Sequence, residues 1–420
     1  MTATSPTCTH TPAYEKPRFE LADIFKHFGA AYRKMHKLSI LQRQAMRAII
    51  NCRTKALGGE VKACEQCGYV DERWFSCRNR NCPKCQGWLR WKWVGARLAE
   101  LLPIPYYHVV TTLPALLNWV ALYNKEIVYE IFYQASAAAL LAFGWDAKYL
   151  GAQLGFIAIL HTWGQTLNYH VHWHFIVTGG GITADQQRWK QLPYRKKFLF
   201  PVEAVSIVIR GKFIALLDQA YRQGKLQFPP ELGYLNNPAA FEKFKAKIRK
   251  QAWYCYAKPP FRTPEKLIKY IGAYTHRVAI SNHRLLDVND KEIKFSYKDY
   301  RDKDAQGEGK WKEMSLPWQV FLKRWLWHVV PKGFRRIRYG GFLAGNTRQK
   351  KIALARQLLG VLRQRALSQP IVTSWGNDFD PELEEKCPLC QSGTMILIES
   401  ILPPWQRPSG FTRARRVDSS

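Results

Sequence analysis

The sequence predicts an α+β protein with a mainly antiparallel central sheet flanked by helices and a small zinc-binding module toward the N-terminus. Three observations lead to this fold class. Strand-like runs alternate with segments of helical periodicity, a histidine-bearing strand stands in the middle of the chain, and Cys-x-x-Cys pairs precede it. Mixed elements of this kind fold as layers of helix and sheet around a shared core.

Local patterns justify the elements in turn. The β-branched and aromatic run YYHVVTT predicts a strand that ends at Leu113-Pro114, and the apolar, alanine-rich stretch that follows predicts one or two buried helices. Predicted strands occupy 106–112, 155–161, 169–178, 254–257, 277–281 and 292–298, and Gly179–Gly181 mark the turn after the third. Predicted helices occupy 116–145, 203–223, 238–253, 316–329 and 348–364, with a further helix that begins at Pro264.

The charge balance indicates a polyanionic partner. The chain has 64 Lys and Arg residues against 32 Asp and Glu residues, a net charge of +32. A membrane surface is the competing partner, but the sequence has no uninterrupted apolar run of 18 residues and no signal peptide. We therefore expect a nucleic acid and no membrane as the partner. Cys-x-x-Cys pairs without a secretory signal favour metal in a reducing cytoplasm over disulfides.

These features divide the 420 residues into four predicted segments. Residues 1–19 are polar and proline-rich and predict a disordered leader. Residues 20–100 predict a helical, zinc-binding domain that contacts DNA. Residues 101–365 hold most of the strands and helices and predict the catalytic domain, and residues 366–420 predict a flexible tail with half a zinc knuckle.

Three histidines alternate along the predicted strand 169–178. His170, His172 and His174 are spaced by two residues, and a strand directs alternate side chains to the same face. Three imidazoles on one face can hold a divalent metal ion. Histidine is a softer ligand than the oxygens that Mg²⁺ usually takes, so a site for Mg²⁺ or Mn²⁺ should tolerate or prefer Mn²⁺.

Two tyrosines share one face of the helix that Pro264 begins. Tyr270 and Tyr274 are four residues apart, which stacks their phenols over adjacent turns. An aromatic core pair has the same spacing. Beside a histidine metal site, however, paired phenols indicate phosphoryl transfer with tyrosine as the nucleophile.

Cysteine spacing predicts a structural zinc site. The predicted ligands are Cys64, Cys67, Cys82 and Cys85, two Cys-x-x-Cys pairs separated by 14 residues. Cys77 stands near them and either replaces a ligand or is buried, and Cys52 is expected to be a core thiol. Cys387 and Cys390 form only half a site, as a chance pair, an intermolecular knuckle or a second zinc site.

Basic residues near these motifs are candidates for contacting DNA, although a solvated basic face is the alternative. The candidate residues are Arg78, Arg80, Arg277, Arg284, Lys332, Arg335, Arg336 and Arg338. The last four lie beside Trp325, Trp327 and Tyr339, and such aromatic residues are able to stack on single-stranded bases.

Taken together, the motifs resemble one known family. HVHWH with its glycine turn, YIGAYTHRVAISNHR and CRNRNCPKC resemble the rolling-circle insertion-sequence transposases with an HUH nuclease domain, the paired-tyrosine insertion-sequence ninety-one family. The resemblance runs over roughly residues 20–365. Their chemistry is similar to that of Helitron and plasmid relaxase nucleases.

The resemblance implies roles for particular residues. His172 and His174 match the His-hydrophobic-His pair and His170 is a candidate third ligand, although His170 and His172 fit the same pattern. Tyr270 and Tyr274 match the paired catalytic tyrosines. The chain departs from the family at Val171, where proline is frequent, and at Asn81, where a histidine commonly precedes the second cysteine pair, so four cysteine ligands are favoured.

The expected function is metal-dependent cleavage and rejoining of single-stranded DNA at transposon ends and target, through a covalent 5′-phosphotyrosine. We expect this activity in the bacterial cytoplasm, at the nucleoid. Two alternatives stay open: a metal-dependent nuclease that activates water, and a non-catalytic zinc-ribbon regulator that only binds DNA.

Overall fold

The computed structural model describes residues 16–98, 100–192, 199–261, 267, 272, 277–361 and 385–406. These residues form helices and antiparallel sheets, which confirms the predicted α+β class. The chain divides into two compact units. Unit 1 comprises residues 1–86, 281–288 and 369–420, and unit 2 comprises residues 87–280 and 289–368.

The described helices and strands are numbered in chain order. The helices are α1 Leu21–Met35, α2 Ile40–Asn51, α3 Pro83–Leu98, α4 Asn118–Tyr123, α5 Lys125–Trp145, α6 Val202–Arg222, α7 Pro238–Lys250, α8 Trp318–Trp327 and α9 Arg348–Leu358. The strands are β1 Gly59–Cys64, β2 Val70–Trp74, β3 Tyr106–Thr112, β4 Gln153–Trp163, β5 Tyr169–Ile182, β6 Trp189–Gln191, β7 Tyr254–Phe261, β8 Leu285–Val288, β9 Glu292–Lys303, β10 Gly309–Pro317, β11 Ile337–Gly341 and β12 Met395–Ile401.

Unit 1 combines two amphipathic helices with a three-stranded sheet in the order β12-β1-β2. Ser39 caps the N-terminus of α2, and its side chain accepts a hydrogen bond from the backbone N–H of Gln42 in a capping box. The buried backbone N–H of Leu21, at the start of α1, donates to Asn282 Oδ1 over 3.1 Å. Strand β12, in the tail, pairs with β1 and so belongs to this sheet. The tail was predicted to be flexible, whereas residues 385–406 are part of unit 1.

Unit 2 is built on an antiparallel sheet in the order β11-β4-β5-β3-β7, with β6 paired to β5. Strands β4 and β5 form a hairpin over Gly164–Asn168, where Gly164 N–H donates to Asn168 O and Leu167 adopts a φ of 60°. The hairpin places His161 directly opposite His172. The register of this hairpin decides which side chains share the site described below.

Alternate residues of the sheet serve two different cores. Phe156, Ala158 and Leu160 of β4 pack into a large cluster with α5 and α6. Ile157 and Ile159 point to the opposite face, where Ile176, Phe342 and Ile352 join them. The histidines of β3, β4 and β5 point to this second face as well, because side chains along a strand alternate between its two faces.

Helix α5 is the buried helix predicted from the alanine-rich stretch. By length and composition it is apolar enough to cross a membrane, and 61% of its most apolar window is buried inside the protein. Val128, Phe132 and Leu140 are fully buried in the large core cluster. This burial is what a core helix of a folded domain requires.

Two sequence predictions fail in unit 2. Gly179–Gly181 do not form a turn, because β5 continues through them to Ile182. A Cβ on Gly181 would clash with Gln153 O of the neighbouring strand, so glycine permits close pairing there. Residues 277–281 form bends and irregular backbone and not the predicted strand.

Candidate metal centre and cysteine clusters

Three strands bring histidines together on the second face of the unit 2 sheet. His172 and His174 alternate along β5, and His161 of β4 lies opposite His172. His108 of β3 has the same parity, since its register partner on β5 is Ile176. The side chains of His108, His161 and His174 are buried, with 2–5% exposed.

His161, His172 and His174 form a group that could hold a metal ion. One ligand nitrogen from each ring lies within 4.8 Å of the other two. His174 Nε2 and His161 Nδ1 are 3.1 Å apart. Two nitrogens bound at about 2.1 Å to one ion would be separated by about 3.0 Å at a right angle and about 3.4 Å at a tetrahedral angle, so the rings fit a shared ion.

Hydrogen bonds on the outer side of the rings orient two of these ligands. His172 Nδ1 lies 2.9 Å from the backbone oxygen of His170 and donates to it, which leaves Nε2 for a metal. His108 Nε2 lies 2.8 Å from His174 Nδ1 and accepts a hydrogen bond from its N–H when His174 Nε2 is the metal ligand. Such partners fix the tautomer and ring orientation of metal-binding histidines.

Burial keeps the rings of His172 and His174 neutral. Burial lowers the pKa of His172 to about 3, and positive charge on His170 and Arg277 acts in the same direction. The pKa of His174 lies well below the usual range for the same primary reason. Neutral imidazole is the form that binds a metal ion, so the site is ready to bind one at neutral pH.

His170 is not part of the group, which corrects the predicted triplet. Its ring centroid lies 5.0 Å from that of His172, and its backbone oxygen is the atom that orients His172. The third candidate ligand is His161, which sequence spacing missed because it lies nine residues before His170 on another strand.

The structure also divides the predicted zinc ligands between two clusters in unit 1. Cys82 and Cys85 group with Cys52 and Cys77, whereas Cys64 and Cys67 group with the tail pair Cys387 and Cys390. The prediction of a single site made of Cys64, Cys67, Cys82 and Cys85 is therefore wrong. Cys52, expected to be a core thiol, and Cys77, a spare, each have a place among four sulfurs.

Cys52, Cys77, Cys82 and Cys85 fit a tetrahedral ion. Cys85 Sγ lies 3.5 Å from Cys52 Sγ and 3.6 Å from Cys77 Sγ, near the about 3.8 Å expected for thiolates on one zinc ion. Backbone N–H groups of Cys77 and Asn79 donate to Cys52 Sγ and Cys77 Sγ. The neighbouring thiols hold the pKa of Cys85 far below its usual range, because each can donate to its sulfur.

Comparisons with known proteins identify the family. Residues 24–113 match the family described as "Transposase zinc-binding domain", and residues 155–351 match the family described as "Putative transposase". The chain is 44% identical over 388 residues to the "Putative transposase y4qJ" of Sinorhizobium fredii, covering 90% of this chain and 95% of that one. The chain belongs to the insertion-sequence IS91 transposase family.

A second relative supports this assignment. The "Transposase for insertion sequence element IS801" of Pseudomonas savastanoi pv. phaseolicola is 29% identical over 307 residues, 72% of this chain and 70% of that one. No solved structure matches the chain. The transposase is thus a DNA-processing enzyme with a zinc-binding domain. The cluster of Cys52, Cys77, Cys82 and Cys85 lies wholly within the residues that match this domain.

The predicted DNA-binding cations have different surroundings in the transposase. Arg78, Lys332 and Arg335 are exposed, and Arg80, Arg277 and Arg336 are half-buried. Arg284 is 9% exposed and belongs to the buried residues of unit 1. Arg338 is held by intramolecular contacts: it pairs with Glu130 over 2.6 Å, and its guanidinium lies 4.5 Å from the Tyr133 ring centre.

The aromatic residues beside the basic cluster also differ in surroundings. Trp325 is buried, with 2% exposed, and belongs to the core. Tyr339 accepts a hydrogen bond from Arg97 over 2.7 Å. Tyr270 and Tyr274 lie outside the described residues, so their roles stay predictions from the sequence.

Proposed function

We propose that the transposase cleaves and rejoins single-stranded DNA at transposon ends through a covalent 5′-phosphotyrosine formed by Tyr270 or Tyr274. The observation that carries the proposal is the group of His161, His172 and His174, whose ligand atoms lie within 4.8 Å of one another. We propose Mg²⁺ or Mn²⁺ as the ion and the bacterial cytoplasm, at the nucleoid, as the site of action.

The donor set suits a divalent ion that acts on phosphate. Three neutral imidazoles leave the full charge of such an ion available, since the group contains no carboxylate among the described residues. When bound, the ion would polarise a phosphodiester oxygen and orient the phosphate. Histidine nitrogens favour Mn²⁺ over Mg²⁺ in affinity.

Described residues on either side of the two tyrosines support their assignment. Leu267, three residues before Tyr270, is fully buried in the core cluster of Ile157, Ile159 and Ile176, on the histidine face of the sheet. Arg277, three residues after Tyr274, is close enough to lower the pKa of His172 and His174. Leu267 and Arg277, which precede and follow the two tyrosines in the sequence, support the proposal because both act on the histidine side of the sheet.

The proposed chemistry conserves the energy of the broken bond. The phenol oxygen attacks phosphorus, the bond from phosphorus to the 3′-oxygen breaks, and that oxygen leaves as a 3′-hydroxyl after taking up a proton. The phenol proton passes to solvent, so no net proton is consumed. Attack by a 3′-hydroxyl on the phosphotyrosine reverses the step and joins two strands.

Arg277 has a place in this proposal as a counter-charge. Its guanidinium raises the positive potential at the histidine group, where a phosphate with developing negative charge would lie. Two tyrosines would allow two successive transfers before the first covalent link is resolved. A nucleotide cofactor is not required by this chemistry.

A covalent-adduct assay tests the proposal. The full chain is incubated with Mn²⁺ and a single-stranded oligonucleotide carrying a transposon end, then resolved under denaturing conditions. We expect an adduct in the wild type that disappears with chelator and in the Tyr270→Phe/Tyr274→Phe double variant. Cleavage without an adduct would instead establish water as the nucleophile, and binding with neither would establish a regulator.

A further inference from the structure

We propose that Cys64, Cys67, Cys387 and Cys390 hold a second structural zinc ion, which binds the tail of the chain to the N-terminal sheet. The matched zinc-binding domain ends at residue 113 and lacks two of these ligands. The site is therefore additional to the cluster of Cys52, Cys77, Cys82 and Cys85. It goes beyond the proposed cleavage function and does not depend on it.

The sulfur positions fit one tetrahedral ion. All four lie within 4.8 Å of one another, with Cys64 Sγ 3.7 Å from Cys390 Sγ and Cys67 Sγ 3.6 Å from Cys387 Sγ. Thiolates about 2.3 Å from a common zinc ion would be about 3.8 Å apart. Disulfide sulfurs would lie about 2.05 Å apart, so the pairs are not bridged.

The two halves of the cluster share one backbone turn. Gly68 N–H donates to Cys64 O, and Gln391 N–H donates to Cys387 O, each four residues along the chain. The residue after each second cysteine adopts a left-handed conformation, with φ of 69° at Gly68 and 60° at Gln391. A non-glycine residue rarely takes this conformation, so Gln391 is held there by its surroundings.

Backbone groups are directed at the sulfurs. Cys67 N–H lies 3.5 Å from Cys64 Sγ and Gly393 N–H lies 3.4 Å from Cys390 Sγ, both as donors. A Cβ on Gly393 would clash with Cys64 Sγ, so the turn can approach the sulfurs only with glycine at this position.

Contacts outside the cluster support closure within one chain. Strand β12 pairs with β1 from Gly59↔Ile401 to Cys64↔Met395. Glu385 also accepts a 2.8 Å bond from Lys62 Nζ and pairs with Arg73. These pairings bring the tail cysteines to Cys64 and Cys67 independently of a metal, which argues against an intermolecular knuckle.

Zinc stoichiometry of the full chain tests the site. Native mass spectrometry should show at least two zinc ions on the monomeric wild-type mass and one ion fewer on Cys387→Ser/Cys390→Ser, because the histidine group is also able to take up zinc. Cys255→Ser removes a thiol outside both clusters and should retain the wild-type number. Gly393→Ala, which keeps every ligand, should lose the second zinc to a chelator at least tenfold faster than the wild type.

Other outcomes would overturn the proposal. One zinc ion on the folded wild type, or equal numbers on the wild type and the Cys387→Ser/Cys390→Ser variant, would show that the tail pair is not a ligand. Two ions present only on a dimeric mass would show that the knuckle forms between chains. The zinc count of the wild type and the mass on which the ions are found are both measured without any substitution. The proposal can therefore be overturned even if the cysteine variant does not fold.

A separate observation in unit 2 carries a second proposal. We infer that Tyr254 and Tyr256 form a stacking platform for bases next to the cleaved phosphate, an inference that rests on the proposed cleavage of single-stranded DNA. Their side chains are 68% and 57% exposed. Large aromatic side chains this exposed on the edge strand of a sheet are available to a ligand.

The sheet register places both tyrosines on the metal face. His174 lies opposite Val110, which lies opposite Tyr256. His172 lies opposite Thr112, which lies opposite Tyr254. Opposite residues of an antiparallel sheet point to the same side, and two strand spacings amount to about 10 Å, one to two nucleotides of extended single strand.

The charge around the platform suits DNA. Lys258 continues the same row of β7, opposite His108, and Arg277 lies near the histidines. Cys255, between the tyrosines, packs against the large core on the other face. Exposed aromatic rings alternating with a core residue, next to cations, match the way proteins bind single strands by stacking and phosphate contacts.

Equilibrium binding of a fluorescent single-stranded oligonucleotide tests the platform. Tyr254→Ala/Tyr256→Ala should bind about 25-fold or more weakly, taking about fivefold as the lower limit for each ring. The Phe double variant should bind within about threefold of the wild type, because it keeps both rings. Tyr234→Ala, at 58% exposure elsewhere in unit 2, is the matched control. The salt dependence should not change, since no phosphate contact is removed.

The outcomes separate this inference from the cleavage proposal. A loss no larger than that of Tyr234→Ala, or an equal loss on blunt duplex DNA, would overturn the platform while leaving an adduct in the wild type unaffected. A wild type that forms no adduct, combined with the expected binding loss, would overturn cleavage and leave the platform in place.

Discussion

Replacing His161 and His170 separately distinguishes the structural site from the one that sequence spacing predicts. His161 contributes a ring nitrogen 3.1 Å from His174 Nε2, whereas His170 contributes only a backbone oxygen to His172. Loss of an outer hydrogen-bond partner costs a metal site about 10- to 100-fold in affinity. Loss of a direct ligand should cost more, so we expect His161→Ala to weaken Mn²⁺ binding more than about 100-fold, or about 2.7 kcal/mol.

His170→Ala should weaken Mn²⁺ binding less than about threefold, about 0.7 kcal/mol, because the oxygen that orients His172 belongs to the backbone. Electron paramagnetic resonance of free Mn²⁺ at neutral pH measures both affinities. His161→Gln is included because His161 is only 3% exposed and alanine leaves a cavity. Equal losses at the two positions, or wild-type affinity in a folded His161→Ala protein, would refute the ligand assignment.

Three further outcomes follow from the same structure. His108→Leu should weaken Mn²⁺ binding about 10- to 100-fold, because it removes the hydrogen-bond acceptor of His174 Nδ1. Calorimetric titration measures this affinity, and an unchanged value would refute the role of His108 in orienting His174. Burial lowers the pKa of His328 to about 3, so its unfolded form binds the extra proton and stability falls as pH drops below about 6.5. His328→Asn should therefore lose up to about 2 kcal/mol less than the wild type between pH 7 and pH 5 in urea unfolding, and an identical loss would contradict that cause. Arg338→Met should destabilise the fold by about 2 kcal/mol, because it removes the contacts of the guanidinium with Glu130 and with the Tyr133 ring. Arg335→Ala, at an exposed position, should leave stability unchanged and reduce the salt slope of DNA binding by about one. The reverse pattern would count against both assignments.

The sequence predicts that His172 and His174 lie on one face of their strand, but it does not predict that His161 is the third candidate ligand. Alternation of His172 and His174 follows from local sequence alone. His161 enters only through the hairpin register, which depends on the turn at Gly164–Asn168 and the left-handed Leu167. The run HTWGQTLNYH contains this signal, since a short polar loop with glycine joins two apolar strands, but a register must be assumed before His161 faces His172.

The cysteines show a different limit. Spacing within a Cys-x-x-Cys pair is local and identifies a pair of ligands that can share one ion. Which pairs combine is a question of tertiary contacts, and the 14 residues between Cys67 and Cys82 fit more than one answer. The pairing of β12 with β1 selects Cys387 and Cys390 for Cys64 and Cys67, across more than 300 residues that no local pattern relates.

Secondary structure was predicted best where one face is buried. The predicted strand 106–112 agrees with β3 in both bounds, because its residues alternate between the two cores. Gly179–Gly181 misled the prediction, since glycine there serves close strand pairing and not a turn. Strand β12 has a mostly exposed burial pattern and was missed for lack of an apolar alternation.

Mass spectrometry can identify the residue that becomes linked to DNA and thereby decide whether a tyrosine is the nucleophile. Wild-type protein is reacted with Mn²⁺ and single-stranded transposon-end DNA, digested with nuclease and protease, and searched for peptides that carry a nucleotide 5′-phosphate. We expect the modification on Tyr270 or Tyr274, and its loss when His161 and His172 are replaced. A phosphate linked to any other residue, or cleaved DNA with free 5′-phosphates and an unmodified protein, would contradict it.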